Sequence, residues 1–303
     1  MKEIVVISGK GGTGKTSLVA AFAALAERAV LADCDVDAAD LHLILSPEVR
    51  RTQDFSGGKV ARVLTDSCIG CGRCREVCHF DAVHFDGDAN EVVAKTYRID
   101  PIGCEGCGVC THFCPAGAIA FEDVTNGQWF LSDTRFGPMV HARLAPGEEN
   151  SGKLVSLIRK EARLHGERQG RDMLLVDGSP GIGCPVIASV TGADFVLVVT
   201  EPTLSGRHDL ERVMELAAHF EIATGVCINK FDINLRISDD ITQMAEAWSV
   251  PVLGRIPYDP AVTKAQLAGR SVAEYANGSL RRQIVSLWEN VTERAANADR
   301  KEV

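Results

Sequence analysis

Long hydrophobic runs are missing from this chain. No stretch approaches the roughly 18 apolar residues that a membrane-spanning helix needs, so none is expected. A basic surplus is missing too. The 32 Lys and Arg are outnumbered by 41 Asp and Glu, for a net charge of −9 over 303 residues. General nucleic-acid binding, which wants a basic face, is therefore not expected, although a local basic patch is compatible with this balance. The strand-like run Glu3 to Ile7 begins almost at once, which leaves no room for a signal peptide and points to a cytoplasmic protein. The tail from Arg294 to Val303 mixes charges and has few apolar side chains, so no membrane-surface helix is expected there. What remains is an ordinary globular composition, 46% hydrophobic and 24% charged, in a chain long enough for two domains.

Against that background one loop stands out. Glu3-Ile4-Val5-Val6-Ile7 reads as a buried strand, and the Ala-rich segment Ser17 to Ala26 reads as a helix. Between them lies Gly9-Lys10-Gly11-Gly12-Thr13-Gly14-Lys15-Thr16, which fits the phosphate-loop pattern G-x-x-x-x-G-K-[ST]. The glycines let backbone N–H groups turn inward around phosphate oxygens, and the helix N-terminus adds partial positive charge. Lys15 is expected over the β- and γ-phosphates, and the Thr16 hydroxyl on Mg²⁺. Two further strand-like runs end in acids. One is Ala29 to Asp33, followed by Asp35 and Asp37; the other is Met173 to Asp177. In an open α/β sheet such carboxyl ends face the ligand, so these acids are expected to gather near the metal and the γ-phosphate.

Lys10, directly after the first glycine, makes the loop resemble the deviant P-loop of the MinD/ParA/Mrp/nitrogenase-iron-protein superfamily. The acids Asp33, Asp35 and Asp37 ahead of Leu41 resemble that family's switch I, and Asp177 to Gly181 its switch II, D-x-x-P-G. Asn229-Lys230 and Ile256-Pro257-Tyr258-Asp259 resemble its adenine-side loops. The resemblance implies that Lys10 reaches the ATP of a partner in a nucleotide-sandwich homodimer, that Asp35 orients or activates the attacking water, and that Asp177 holds Mg²⁺ with Thr16. It also implies a nucleotide site formed by Gly9, Lys10, Gly11, Gly12, Thr13, Gly14, Lys15, Thr16, Ser17, Asp177, Asn229, Lys230 and Pro257.

The eleven cysteines are not spaced like a disulfide framework. Eight fall in two C-x-x-C-x-x-C-x-x-x-C runs, and residues 68–85 repeat as 104–121 with a shift of 36. Zinc is the rival metal for C-x-x-C pairs; two complete four-cysteine runs favour clusters. The duplication resembles the bacterial two-cluster ferredoxin, in which the fourth cysteine of each run ligates the other cluster. That resemblance assigns Cys68, Cys71, Cys74 and Cys114 to one [4Fe–4S] cluster, and Cys104, Cys107, Cys110 and Cys78 to the second. The proline usual after the fourth cysteine is present as Pro115 but replaced by His79 in the first run. Cys184 is read as a small buried residue rather than a ligand to a bridging cluster, because the aligned loop Pro146 to Lys153 offers no second cysteine.

The expected fold is α/β: a mostly parallel P-loop sheet with helices on both faces, plus an inserted α+β ferredoxin module. The expected boundaries are 1–58 and 122–303 for the ATPase and 59–121 for the insert. Asn126-Gly127 is read as a hairpin turn, Pro146 to Gly152 as a polar loop, a helix from near Lys153 to before Gly170, and another over 279–293. Arg207 to Asp209 receives no role. The implied activity is a slow, partner-stimulated ATPase (ATP and water to ADP and phosphate) coupling dimer switching to electron transfer with a redox partner. An Mrp-type cluster carrier serving a cluster-accepting protein and a MinD-like positioning ATPase are the alternatives. The carrier branch uses a C-x-x-C pair near its C-terminus, and no such pair follows Cys114.

Overall fold

The computed structural model describes residues 1–145 and 151–298; Pro146 to Asn150 and the last five residues of the tail lie outside the described residues. In chain order the strands are β1 (Lys2–Ser8), β2 (Ala29–Asp33), β3 (Glu48–Phe55), β4 (Gly58–Val63), β5 (Val83–Gly87), β6 (Thr96–Ile99), β7 (Ile119–Val124), β8 (Gly127–Thr134), β9 (Gly137–Leu144), β10 (Met173–Pro180), β11 (Phe195–Thr200), β12 (Thr224–Asn229) and β13 (Val252–Ile256). The helices are α1 (Lys15–Leu25), α2 (Leu41–Leu45), α3 (Arg73–Glu76), α4 (Val109–Phe113), α5 (Ser151–Arg168), α6 (Cys184–Val190), α7 (Leu204–His219), α8 (Leu235–Ala247), α9 (Pro260–Leu267), α10 (Val272–Tyr275) and α11 (Gly278–Asn297).

The chain divides into two compact units. The first holds Met1–Gln53, Gln128–Leu144 and the chain from Ser151 onward; the second is built on Asp54–Gly127.

The first unit carries a nine-stranded sheet in the order β13-β12-β11-β1-β10-β2-β9-β8-β3. From β13 through to β9 each strand runs parallel to its neighbour. Its central strands are continuous apolar runs, as strands covered on both faces must be: Ile4 to Ile7, Val196 to Val199 and Leu174 to Val176 are 0–1% exposed. Helix α1 is also buried on most of its surface, and its Phe22 ring stacks on Trp288 of α11 at 4.9 Å. That packing replaces the stabilisation an amphipathic surface helix gets from one face alone. Register places Asp33 beside Asp177, and Asp177 beside Val6, so two acids and the phosphate-loop strand end at one edge.

Some local expectations need correcting. Asn126-Gly127 does not turn a hairpin: β7 pairs with β4, β8 lies in the large sheet, and neither residue has the positive φ that a type I′ turn demands. Instead the Asn126 N–H donates to the Phe55 carbonyl at 2.8 Å, and its side-chain oxygen accepts from Gly57 N–H (2.8 Å) and Gly58 N–H (3.1 Å). A two-residue turn, Arg135-Phe136, joins the sheet neighbours β8 and β9. Ser151 and Gly152 belong to α5 rather than to a loop. Gly178 stands in β10; a Cβ there would lie 2.7 Å from the Ile7 side chain, so close strand packing requires the glycine.

The second unit is duplicated. Strand β4 pairs antiparallel with β7, and β5 with β6. A 36-residue shift maps β4 onto β6 and β5 onto β7, so each small sheet joins a strand from either half. Its core is Ala61, Cys74, Ala82, Val83 and Ile99.

Candidate functional site

Helix α1 starts at Lys15, capped by Gly14 in the left-handed region at φ +90°. A side chain at Gly14 would also meet Asn229 Nδ2 at 2.3 Å. That close approach lets Asn229, at the end of β12, donate to the Thr13 carbonyl at 2.7 Å. Its neighbour Lys230 donates to the Gly12 carbonyl at 3.0 Å. Gly9 is required for a different reason: a Cβ there would lie 2.4 Å from Cβ of Asp209 in α7. The segment Arg207 to Asp209 thus packs on the loop's first glycine.

Lys15 is 5% exposed and faces two carboxylates, Asp177 Oδ1 at 2.5 Å and Asp35 Oδ2 at 3.3 Å. Asp33 completes the acidic group; its Oδ1 accepts from the Asp35 N–H at 3.2 Å. Asp37 remains exposed and does not join it. Burial most of all, with the Asp177 charge adding to it, drives the Asp33 carboxyl well above the ordinary range. Burial raises Asp35 as well, with Lys15 pulling the other way. Burial opposes the Lys15 charge, but Asp177, Asp35 and Asp33 outweigh it and hold the ammonium above its usual value. At this site, among the described residues, three buried polar atoms have no partner: Thr13 Oγ1, Asp33 Oδ2 and Asp177 Oδ2. An excess of buried carboxylate oxygen beside the phosphate loop fits a hard divalent cation carried with phosphates. Thr16 is half-buried, its hydroxyl 3.5 Å from Lys15 Nζ. Ser17 is committed elsewhere, accepting from Gln266 Nε2 at 2.8 Å. Pro257 follows β13, whose Ile256 stands in register with Asn229.

Lys10 is held within its own chain. Its Nζ lies 2.7 Å from Glu201 Oε1 and donates to Ser205 Oγ (2.9 Å) and Thr203 Oγ1 (3.1 Å). The other oxygen of Glu201 meets Lys230 at 3.2 Å.

In the second unit the cysteines line two separate small cavities. Cys68, Cys71, Cys74 and Cys114 line one with Val63, Tyr97 and Ile119. Cys78, Cys104, Cys107 and Cys110 line the other with Ala61, Phe80 and Val109. Each cavity takes its fourth cysteine from the other run. Among the described residues no group of three or more His, Cys, Asp or Glu side chains is drawn together closely enough to hold a single metal ion. Eight thiols spread around two cavities fit a bulky thiolate-ligated cluster better than one tetrahedral zinc. Cys184 is exposed rather than buried, at the first position of α6. His79 is exposed.

A model of the CobQ/CobB/MinD/ParA nucleotide binding domain matches residues 4–272. The chain belongs to this MinD/ParA family. Uncharacterized protein MJ0578 of Methanocaldococcus jannaschii is 32% identical over 295 residues, 96% of each chain. Septum site-determining protein MinD of Bacillus subtilis is 24% identical, over 90% of this chain and 82% of that one. Among solved structures, the cell division ATPase MinD of Pyrococcus furiosus superposes with a TM-score of 0.56 at 18% identity, over 96% of this chain and 98% of that one. MinD from Pyrococcus horikoshii, solved with Mg-ADP, gives 0.56 at 17% identity, over 98% of both. At these identities the structures establish the α/β fold, a mostly parallel sheet with helices, and nothing finer.

Within this MinD/ParA frame, the sequence reading missed Glu201, Asp209 and Gln266. Glu201 carried a usable signal: it is an acid directly after the buried strand β11, much as Asp33 is the last residue of β2. Asp209 and Gln266 sit on helix faces and approach the loop only through tertiary packing.

Proposed function

We propose that this chain is an ATP-hydrolysing iron–sulfur protein, in which nucleotide-driven dimer switching governs electron transfer through two [4Fe–4S] clusters. The observation that carries the reading is the sorting of eight cysteines into two cavities, each with three ligands from one run and the fourth from the other. The second unit is then a ferredoxin-like insert between residues 59 and 121 of the ATPase.

On the ATPase side, Lys15 leaves Asp177 and Asp35 to meet the β- and γ-phosphates. Thr16 and Asp177 would hold Mg²⁺, with Asp33 beside them; the ion supplies charge neutralisation at the phosphates. The inward N–H groups of the loop orient the phosphate chain. Asp35, freed from Lys15, accepts a proton from water as the water oxygen bonds to the γ-phosphorus and the bond to ADP breaks. Asn229, Lys230 and Pro257 border the base. Lys10 exchanges its Glu201 contact for the partner's nucleotide. In the second unit the cysteine thiolates would hold the clusters, among apolar lining residues such as Val63, Ile119 and Ala61.

Likeness to proteins named for septum placement and cell division favours a second reading, a MinD-like positioning ATPase. Such a role requires no cysteine sites. A cluster carrier is disfavoured because each cavity is complete within one chain. The test is anaerobic purification with iron, sulfide and ATPase assays: about eight irons and eight sulfides per chain, with ATP turnover, are expected. Two zinc ions and no visible cluster absorption would overturn the iron–sulfur reading.

A further inference from the structure

The duplication makes each cysteine cavity a control for the other. A 36-residue shift carries the Leu64 N–H to Ala118 carbonyl bond onto the Asp100 N–H to Ala82 carbonyl bond, both 2.8 Å. It carries Lys59 over the Phe121 ring, at 5.6 Å, onto Lys95 over Phe85, at 5.9 Å. Backbones and flanking lysines therefore match.

The loop charges do not match. Around the cavity of Cys68, Cys71, Cys74 and Cys114, residues 64–76 and 114–117 carry Asp66 and Glu76 balanced by Arg73 and Arg75. Both arginines are exposed and flank Cys74 on α3. The equivalent residues around the second cavity, 100–112 and 78–81, carry Asp81, Asp100 and Glu105, with no Lys or Arg. Arg73 and Arg75 are replaced there by Val109 and Thr111, and Ile69 by Glu105. A polar group breaks the symmetry further. Tyr97 lines the first cavity, its hydroxyl 3.0 Å from where a Cβ on Gly72 would stand. Its counterpart in the second cavity is Ala61, a methyl group.

Reducing a cluster adds one negative charge. Nearby cations and O–H donors favour that charge and carboxylates oppose it, and the potential of an iron–sulfur site follows net charge and hydrogen bonding. We propose that the two sites are unequal, and that a single electron entering this unit rests at the site of Cys68, Cys71, Cys74 and Cys114. This rests on the iron–sulfur reading above. With dithionite as donor, each site gains one electron in turn; no bond to the protein forms or breaks.

The experiment is a redox titration of the anaerobically reconstituted full chain, followed by electron paramagnetic resonance. Iron and sulfide analysis comes first. Wild-type protein should reduce in two resolved one-electron steps. The double variant Arg73→Val, Arg75→Thr should lower the upper step and leave the lower one in place. Glu105→Ile should raise the lower step alone, and Tyr97→Phe should lower the upper one. A tenfold change in the ratio of reduced to oxidised site reads as about 59 mV. Coincident steps in wild-type protein, or an arginine variant that moves the lower step, would overturn the inequality. Failure to assemble eight irons would instead overturn the iron–sulfur reading itself, and this proposal with it.

Discussion

The Lys10 ammonium lies 2.7 Å from the Glu201 carboxylate of its own chain. A lysine required by a partner's nucleotide must first give up this contact. The pair is partly exposed, so the contact is worth no more than about 1 kcal/mol. Two such contacts are lost per homodimer, so Glu201→Gln should tighten ATP-dependent dimerisation by up to roughly thirtyfold. Lys10→Ala should bind ATP as a monomer and lose both dimerisation and turnover. Sedimentation and nucleotide binding measured with and without ATP check both; normal hydrolysis by Lys10→Ala would remove the trans role of this lysine.

Among the described residues, Lys15 is the sole cation placed among Asp33, Asp35 and Asp177. Removing one partner from a buried ion pair costs about 3–5 kcal/mol. Lys15→Ala should thus destabilise the nucleotide-free protein by that order, besides weakening nucleotide binding. Urea unfolding at neutral pH is the readout.

Asp35 should separate binding from chemistry. Asp35→Asn keeps the side chain's shape but removes the proton acceptor, so ATP affinity should hold while turnover falls by roughly 10²–10⁴-fold. Single-turnover kinetics with a parallel binding isotherm would distinguish this from a loss of affinity.

The crossed cysteine sets make a specific demand. Cys114→Ser should perturb the site of Cys68, Cys71 and Cys74, and Cys78→Ser the site of Cys104, Cys107 and Cys110. Spectra of the two variants, each with one intact site, check the assignment. If Cys114→Ser left the first site's signal unchanged and altered the second, the crossing would be wrong.

His141 sets an acid limit on the first unit. Its Nε2 lies 2.9 Å from Ser132 Oγ, its ring stacks on Phe130 at 5.0 Å, and His42 of α2 lies 6.4 Å away. Burial, with His42 and Arg143 adding to it, pulls His141 down to about 4. The unfolded chain binds this proton more tightly than the folded one, so stability is full above about pH 6.5 and is lost as pH falls toward 4. The contribution is about 3 kcal/mol at most. His141→Gln should flatten that part of the profile in urea titrations at pH 7 and pH 5.

The parts legible in the sequence were those written in spacing. Gly9 to Thr16, Asp33, Asp35, Asp177 and both cysteine runs are short patterns whose chemistry depends on neighbours along the chain. The large sheet was legible because strands buried on both faces are continuous apolar runs. The misread parts depend on distant partners. Asn126-Gly127 has the composition of a tight turn, but the Asn126 side chain is engaged by the backbone of Gly57 and Gly58, some 70 residues earlier. Strand β3 is polar and mostly exposed, so its residues carry no apolar alternation to read. The need for glycine at position 178 was not legible either, because spacing cannot show that Ile7 leaves no room for a side chain.

The bond between Phe55 and Asn126 has one more consequence. Strands β3 and β8 are sheet neighbours, and the chain leaves the first and enters the second through two residues that already touch. To the large sheet, everything from residue 56 to 125 is a hairpin loop. Closing a loop costs free energy that grows only with the logarithm of its length, and here the closing bond is local whatever the loop contains. An ATPase with a simple two-residue turn at this point could therefore have acquired the whole cysteine-bearing module without altering a single strand pairing. The same cut, made by design, should return that ancestor-like sheet.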